Sequence, residues 1–273
     1  MVGNIGSNLG ILNNLLKTQK KLRDSFSALS TGQSVTSKSD PAGLAIASSL
    51  QTQSSSLSTV NRGIDYTQSA LTTAEGGLGE VRNNLQRMRE IALQASNGTL
   101  SQSDRSNLQN EFEQLQENVN SLAQNTKFGS TSLLDGSFSQ QVQTGANAGE
   151  NQTVTVDGVS TTDLGIADEG VATQASAQDA LSAIDSALEQ VNSASASIGA
   201  QQNALEFRSN ANAVQQENLA AAQSQIADTD YASELSNLSK QKFLQQAQIE
   251  VLKAQQKSAA SLSQQFFGGL GKK

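Results

Sequence analysis

Few side chains in this sequence could do chemistry, and those few are carboxylates and guanidiniums. Glu111, Glu113 and Glu117 place three acids close together, and Arg87, Arg89 and Glu90 place mixed charge on a short stretch. The three acids could attract a cation, but no loop with ligand spacing accompanies them. The mixed-charge stretch reads as a solvated helix face. Cys, His and Trp are all absent. Without Cys there are no disulfides, thiolate nucleophiles or soft-metal ligands. Without His the commonest general base and the commonest metal ligand are both missing. We therefore expect no enzyme, no cofactor and no metal.

What must position these residues is helix. Leu12, Leu15, Leu22, Phe26 and Leu29 recur three and four apart, with Gln19 filling one position of the stripe. Leu78, Val81, Leu85, Met88, Ala92 and Ala95 alternate without a break, as do Leu108, Phe112, Leu115, Val119 and Leu122. Leu181, Ile184, Leu188, Val191, Ile198 and Leu205 keep the same register, with Ser195 and Gln202 as polar interruptions. Leu235, Leu238, Leu244, Ala247, Val251 and Ala254 form a weaker stripe. Arg87 and Ile91 are four apart, on one helical face just off the Leu85–Met88–Ala92 seam, so both side chains are expected at the surface.

Local signals punctuate the helices. Gly32 ends the first. Asp40 before Pro41 is an N-cap and first-turn pair, opening a helix that can run about 80 Å to near Ser96. Gly63 and Gly76–Gly77 weaken it by about 1 kcal/mol each, and Asn97-Gly98 stops it. Ser101 with Asp104 resembles a capping box. From Gly129 to about Ala175 the helical period disappears. Gln141–Gln143 and Thr153–Val156 read as two short strands around the Gly145–Gly149 loop. Helix resumes near Ser176 and runs to about Ile226, and Asp228-Thr229-Asp230 can cap the last helix.

The expected fold is mainly α: a long antiparallel helical bundle with a small β-hairpin region in mid-chain and N- and C-terminal helices paired at one end. The expected divisions are residues 1–40, 41–227 with the hairpin region at about 129–175, and 228–273. The terminal helices have single, interrupted apolar stripes and too few partners in one chain, so they are expected to seek other subunits. Net charge is +3 over residues 1–60, −13 over 61–229 and +3 over 230–273. The basic residues are too sparse and too free of aromatic neighbours for nucleic acid. No run of 18 apolar residues exists to insert in a membrane, and no cleavable secretory signal is visible.

Five collinear blocks carry a family resemblance. Leu29–Gly32 with Ser37–Ala47 resembles the N-terminal block of bacterial flagellins, and Asn83–Gln94 resembles their most recognisable helix. Asn125–Gly129 with Leu133–Gly136 is similar to the helix-to-β corner, and Val142–Gly149 to the hairpin. Asp228–Lys240 with Leu244–Ala247 is similar to the C-terminal block. The likeness departs in three places. The outer domains that many flagellins insert in the middle are lacking, the first block starts a few residues short, and Gln265–Lys273 differs from the usual ending.

The resemblance implies a structural subunit that polymerises into the flagellar filament for motility; a hook–filament junction protein, with similar terminal blocks, is the alternative. It implies type III export with a chaperone, growth under a filament cap, contact with the junction proteins and an extracellular location. It implies that Leu12, Leu15, Leu22, Phe26, Leu29, Leu235, Leu238, Leu244 and Val251 serve polymerisation, and that Asp40, Pro41, Ala42 and Gly43 form a linker. It also implies that Arg87, Ile91 and Glu111 meet Toll-like receptor 5, and that Ser and Thr residues between Ser130 and Thr162 can carry O-linked sugar.

Overall fold

The computed structural model describes residues 2–34 and 40–268, with side chains for 9–34 and 40–261. The Ser37–Ser39 part of the N-terminal block and the side chains of the divergent ending lie outside the described residues. The order is α1 Val2–Thr31, α2 Pro41–Ala95, α3 Gln102–Asn125, β1 Lys127–Phe128, β2 Thr131–Ser132, β3 Ser139–Gln143, β4 Asn151–Thr155, α4 Gln174–Ala227 and α5 Tyr231–Gly268. The chain falls into two compact units, residues 1–51 with 219–273, and residues 52–218. No helix among the described residues is long and apolar enough to cross a membrane.

The helix boundaries have local causes. After α1, Gly32 takes φ +72° and its N–H donates to the Ala28 carbonyl at 2.8 Å, a left-handed stop that a side chain would strain. At the start of α2, Asp40 Oδ1 accepts from the Gly43 N–H at 2.8 Å, and proline occupies the first position. Ser101 and Asp104 complete the capping box of α3, and Ser101's hydrogen bonds hold the Asp104 carboxyl below its usual range. Thr173 and Ser176 make the same reciprocal pair before α4, at 3.0 and 3.1 Å. Asp230 Oδ1 accepts the N–H groups of Ala232 and Ser233 at the start of α5.

In the 52–218 unit one apolar core joins α2, α3, α4 and the β region. Leu78, Val81, Leu85, Met88, Ala92 and Ala95 are all fully buried, and Phe112, Val119, Ile184, Val191, Ile198 and Leu205 answer them. Each large aliphatic side chain so buried contributes about 1.5–3 kcal/mol. Polar bonds fix an antiparallel register of α2 and α4. Arg82 Nη2 donates to Ser195 Oγ at 3.0 Å, Asn212 Nδ2 to Asn61 Oδ1 at 3.0 Å, and Gln216 Nε2 to the Ser54 carbonyl at 3.3 Å. Numbers rise along one helix as they fall along the other. The glycine pair does not interrupt α2. A Cβ at Gly77 would sit 2.7 Å from Leu134, so that glycine lets the β region close onto the helix.

The hairpin β3–β4 is antiparallel, pairing Ser139 with Thr155 through Gln143 with Asn151. The first strand begins two residues before the expected Gln141, and β4 starts at Asn151 and ends one residue before Val156. The two-residue pair β1–β2 was not foreseen; it is too short to show alternation. After the hairpin an irregular, turn-containing segment runs back along α3. Asn120 Oδ1 accepts the Thr161 N–H at 2.9 Å, and Gln116 Nε2 donates to the Ile166 and Glu169 carbonyls at 2.6 and 3.1 Å. Gln109 accepts the Val171 N–H, and Gln102 donates to the Ala172 carbonyl at 3.4 Å. These α3 side chains grip main chain.

In the other unit α1 and α5 lie antiparallel. Tyr231 Oη donates to the Leu29 carbonyl at 2.7 Å, the Thr229 N–H to Gly32 O at 2.9 Å, and the Ser34 N–H to Ala227 O at 2.7 Å. The facing positions recur four and three apart. On α1 they are Ile11, Leu15, Thr18, Leu22, Ser25 and Leu29, each buried or half-buried. On α5 they are Leu238, Gln241, Gln245, Gln248, Leu252, Gln255 and Ala259. The α5 side of this seam is largely glutamine. The amide oxygens of Gln248 and Gln255, seven residues apart, are buried with no hydrogen-bond partner among the described residues.

Candidate assembly and recognition surfaces

The seam divides the nine residues expected to serve polymerisation. Leu15, Leu22 and Leu29 are half-buried and Leu238 is buried, all toward the partner helix within the chain. Leu12, Phe26, Leu235, Leu244 and Val251 are exposed. Leu9 and Leu16 extend the exposed stripe of α1, and Phe243, 71% exposed, adds to that of α5. The last three were missed because the pattern was read for one stripe per helix. On α1, Leu9, Leu12, Leu16, Gln19, Arg23 and Phe26 form a second stripe, again three and four apart. Each helix thus turns one face inward and leaves apolar side chains on another. Isolated exposed leucines need no explanation, but a periodic row on a helix does.

Arg87 and Glu111 meet between α2 and α3. Arg87 Nε and Nη2 both donate to Glu111 Oε1, at 2.9 and 2.6 Å, and Nη1 donates to Glu90 Oε2 at 3.0 Å. Glu111 and then Glu90 hold the Arg87 guanidinium above its ordinary pKa. Arg89 reaches the other way, its Nε to Asp185 Oδ1 at 2.6 Å and its Nη2 to Oδ2 at 3.4 Å, which lowers the Asp185 carboxyl. These pairs are about half exposed, so water screens them and they add little to stability.

Ile91 corrects one expectation. It is not at the surface but 1% exposed, inside the core. The cause is that α2 packs against two partners, α3 on the Arg87 side and α4 on the Arg89 side. A helix held from two directions buries a wider arc than one heptad seam. Asp40, Pro41 and Ala42 are exposed at the start of α2, and Gly43 is buried.

Residues 4–139 match the bacterial flagellin N-terminal helical region, and residues 181–264 match the bacterial flagellin C-terminal helical region. A flagellin of Halalkalibacterium halodurans is 36% identical over 252 residues, spanning 91% of this chain and 91% of that protein. The chain belongs to the flagellin family. A second relative, the flagellar filament 30.7 kDa core protein of Treponema maltophilum, is 32% identical over 85% of this chain and 87% of its own length. The crystal structure of Bacillus cereus flagellin superposes on 55% of this chain and 88% of that one, with a TM-score of 0.51 and 28% identity. This flagellin is a structural subunit of the flagellar filament, an extracellular appendage, and its relatives imply self-polymerisation. The small β region in mid-chain, between the two matched helical regions, agrees with a short form of the family.

Proposed function

We propose that this flagellin polymerises through the outward apolar stripes of α1 and α5, Leu12 and Phe26 with Leu235, Leu244 and Val251 at their centre. The single observation that carries the reading is that these side chains stay exposed when α1 and α5 are paired. Burying them against further copies removes a periodic apolar surface from water at every subunit added. Leu15, Leu22, Leu29 and Leu238 support the same assembly from behind, by holding the two helices together. Residues 40–43 serve as the linker between the α1–α5 pair and the remainder of the chain.

On this reading the chain leaves the cell by the flagellar type III apparatus with a chaperone, adds under a filament cap, and follows the hook–filament junction proteins. Its monomer is recognised by Toll-like receptor 5 through Arg87 and Glu111, with Ile91 supporting that face from beneath. The junction-protein alternative is less supported, because a flagellin and a flagellar filament core protein match 91% and 85% of this chain.

The test is elongation of sheared filament seeds by purified monomer. Leu12→Asp or Val251→Asp should stop elongation, because an unpaired carboxylate buried between copies costs several kcal/mol at every subunit. Elongation at the wild-type rate by both variants would overturn the assignment of these faces.

A further inference from the structure

The 52–218 unit carries a groove and a ridge that no other described residue covers. The groove encloses about 520 Å³, with Val60, Gly63 and Tyr66 of α2 on one side and Phe128, Phe138 and Val142 on the other. Every residue lining it is uncharged. Tyr66 packs edge-on to Phe128, ring centroids 4.7 Å apart, yet stays 64% exposed. Gly63 is the telling residue. Glycine inside a helix weakens it relative to alanine. A Cβ built at Gly63 meets nothing within 4 Å, so packing inside the chain does not require glycine there, as it does at Gly77. Gly76, Gly79 and Gly199 are open in the same way but do not line the groove. A glycine beside an apolar trough admits another molecule's side chain close to the helix backbone.

The ridge is on α4. Phe207 and Val214 are 70% and 59% exposed, with Ala211 between them, and lie about 10 Å apart along the helix. Leu205 and Asn212, two residues before each, face the core. Phe207 and Val214 therefore project from the opposite side of α4. The core side of α4 meets α2 at Asn61, and Gly63 and Tyr66 lie on another side of α2 from Asn61. Groove and ridge are thus on different flanks of one unit. The α2 side of the groove, Thr59 to Ala70, is about 16 Å long, enough to receive the ridge.

A patch that meets its own copy closes a dimer, whereas an open filament needs two different patches that meet head to tail. We propose that the Phe207–Val214 ridge of one copy seats in the Gly63–Tyr66 groove of the next. The proposal rests on the filament reading and adds a second, separate interface to it. Glu206 and Arg208, which flank Phe207, stay at the rim, so the neutral groove receives only apolar groups and Ala211.

Gly63→Met should fill the groove without loss of monomer Tm, and Phe207→Ser should remove the ridge. Each should slow elongation of wild-type seeds by about tenfold or more. Wild-type rates for both would overturn the proposal. Slowing by Gly63→Met alone would overturn the pairing, since the groove would then hold another segment. The chain has no native Cys, so a Gly63→Cys/Phe207→Cys double variant can be assembled and treated with a short thiol cross-linker. A ladder of covalent oligomers is the expected result; well-formed filaments that yield only monomer would overturn the contact. If the wild-type chain itself failed to elongate seeds, the filament reading would fall instead.

Discussion

Replacing Gln248 and Gln255 together by Leu should lock α1 and α5 in the soluble monomer. Each amide oxygen is buried without a partner among the described residues, on a seam whose other α5 positions include Leu238 and Leu252. An orphaned buried acceptor costs about 1–3 kcal/mol. Both side chains are only half-buried, so the lower figure, about 1 kcal/mol each, is appropriate. The added apolar burial contributes a further ~0.5 kcal/mol per site. The double variant should therefore disfavour opening of the pair by about 3 kcal/mol, or about a hundredfold at 1.4 kcal/mol per factor of ten. Hydrogen exchange of the α1 and α5 amides in the monomer reads this directly, and protection should rise by that factor. The outward stripes are untouched, so seed elongation should persist. Unchanged amide protection would refute the account of the seam.

Arg87→Ala should weaken Toll-like receptor 5 binding by about 2 kcal/mol, near thirtyfold, with little change in monomer stability. Ile91→Ala should instead lower stability by about 2–5 kcal/mol in a urea titration followed by circular dichroism, and a loss below about 1 kcal/mol would contradict its burial. Asp185 and Asp104 have folded pKa values below their ordinary 3.8, through the Arg89 and Ser101 hydrogen bonds respectively. Their stabilisation is present in full above the ordinary value and is lost as pH falls from there through the lowered one. Asp185→Asn should therefore be less stable than wild type at neutral pH, and the gap should close in acid below that window; a gap independent of pH would refute the linkage.

The long helices, their caps and most core positions are legible in the sequence because each depends on local chemistry or on one period. Asp40-Pro41, Ser101 with Asp104, and Asp228-Thr229-Asp230 act within a few residues of themselves. Ile91 was misplaced because its burial depends on how many partners α2 has, which no single helical period encodes. The α5 stripe illustrates a related limit. Leu235, Leu244 and Val251, on the stripe that periodicity shows, are exposed among the described residues. The face that α5 turns to α1 carries glutamine at four of its seven seam positions, and polar residues at seam spacing give no hydrophobic signal. The β1–β2 pair is too short to show alternation, and the irregular segment after β4 gives no local signal because its hydrogen bonds come from α3 side chains distant in sequence.

The way α3 grips that irregular segment sets its tolerance to change. Gln102, Gln109, Gln116 and Asn120 bond chiefly to main-chain groups of Thr161, Ile166, Glu169, Val171 and Ala172. A main chain offers the same donors and acceptors whatever side chain it carries, proline apart. Substitutions at exposed points such as Thr162 and Asp168 leave every one of these bonds available. Val159, Leu164, Ile166 and Val171 remain tied to the core, but at its exposed points the segment is free while the constraint sits on the helix beneath. Surface chemistry there can drift, acquire charge or display a foreign side chain while the frame beneath keeps its geometry.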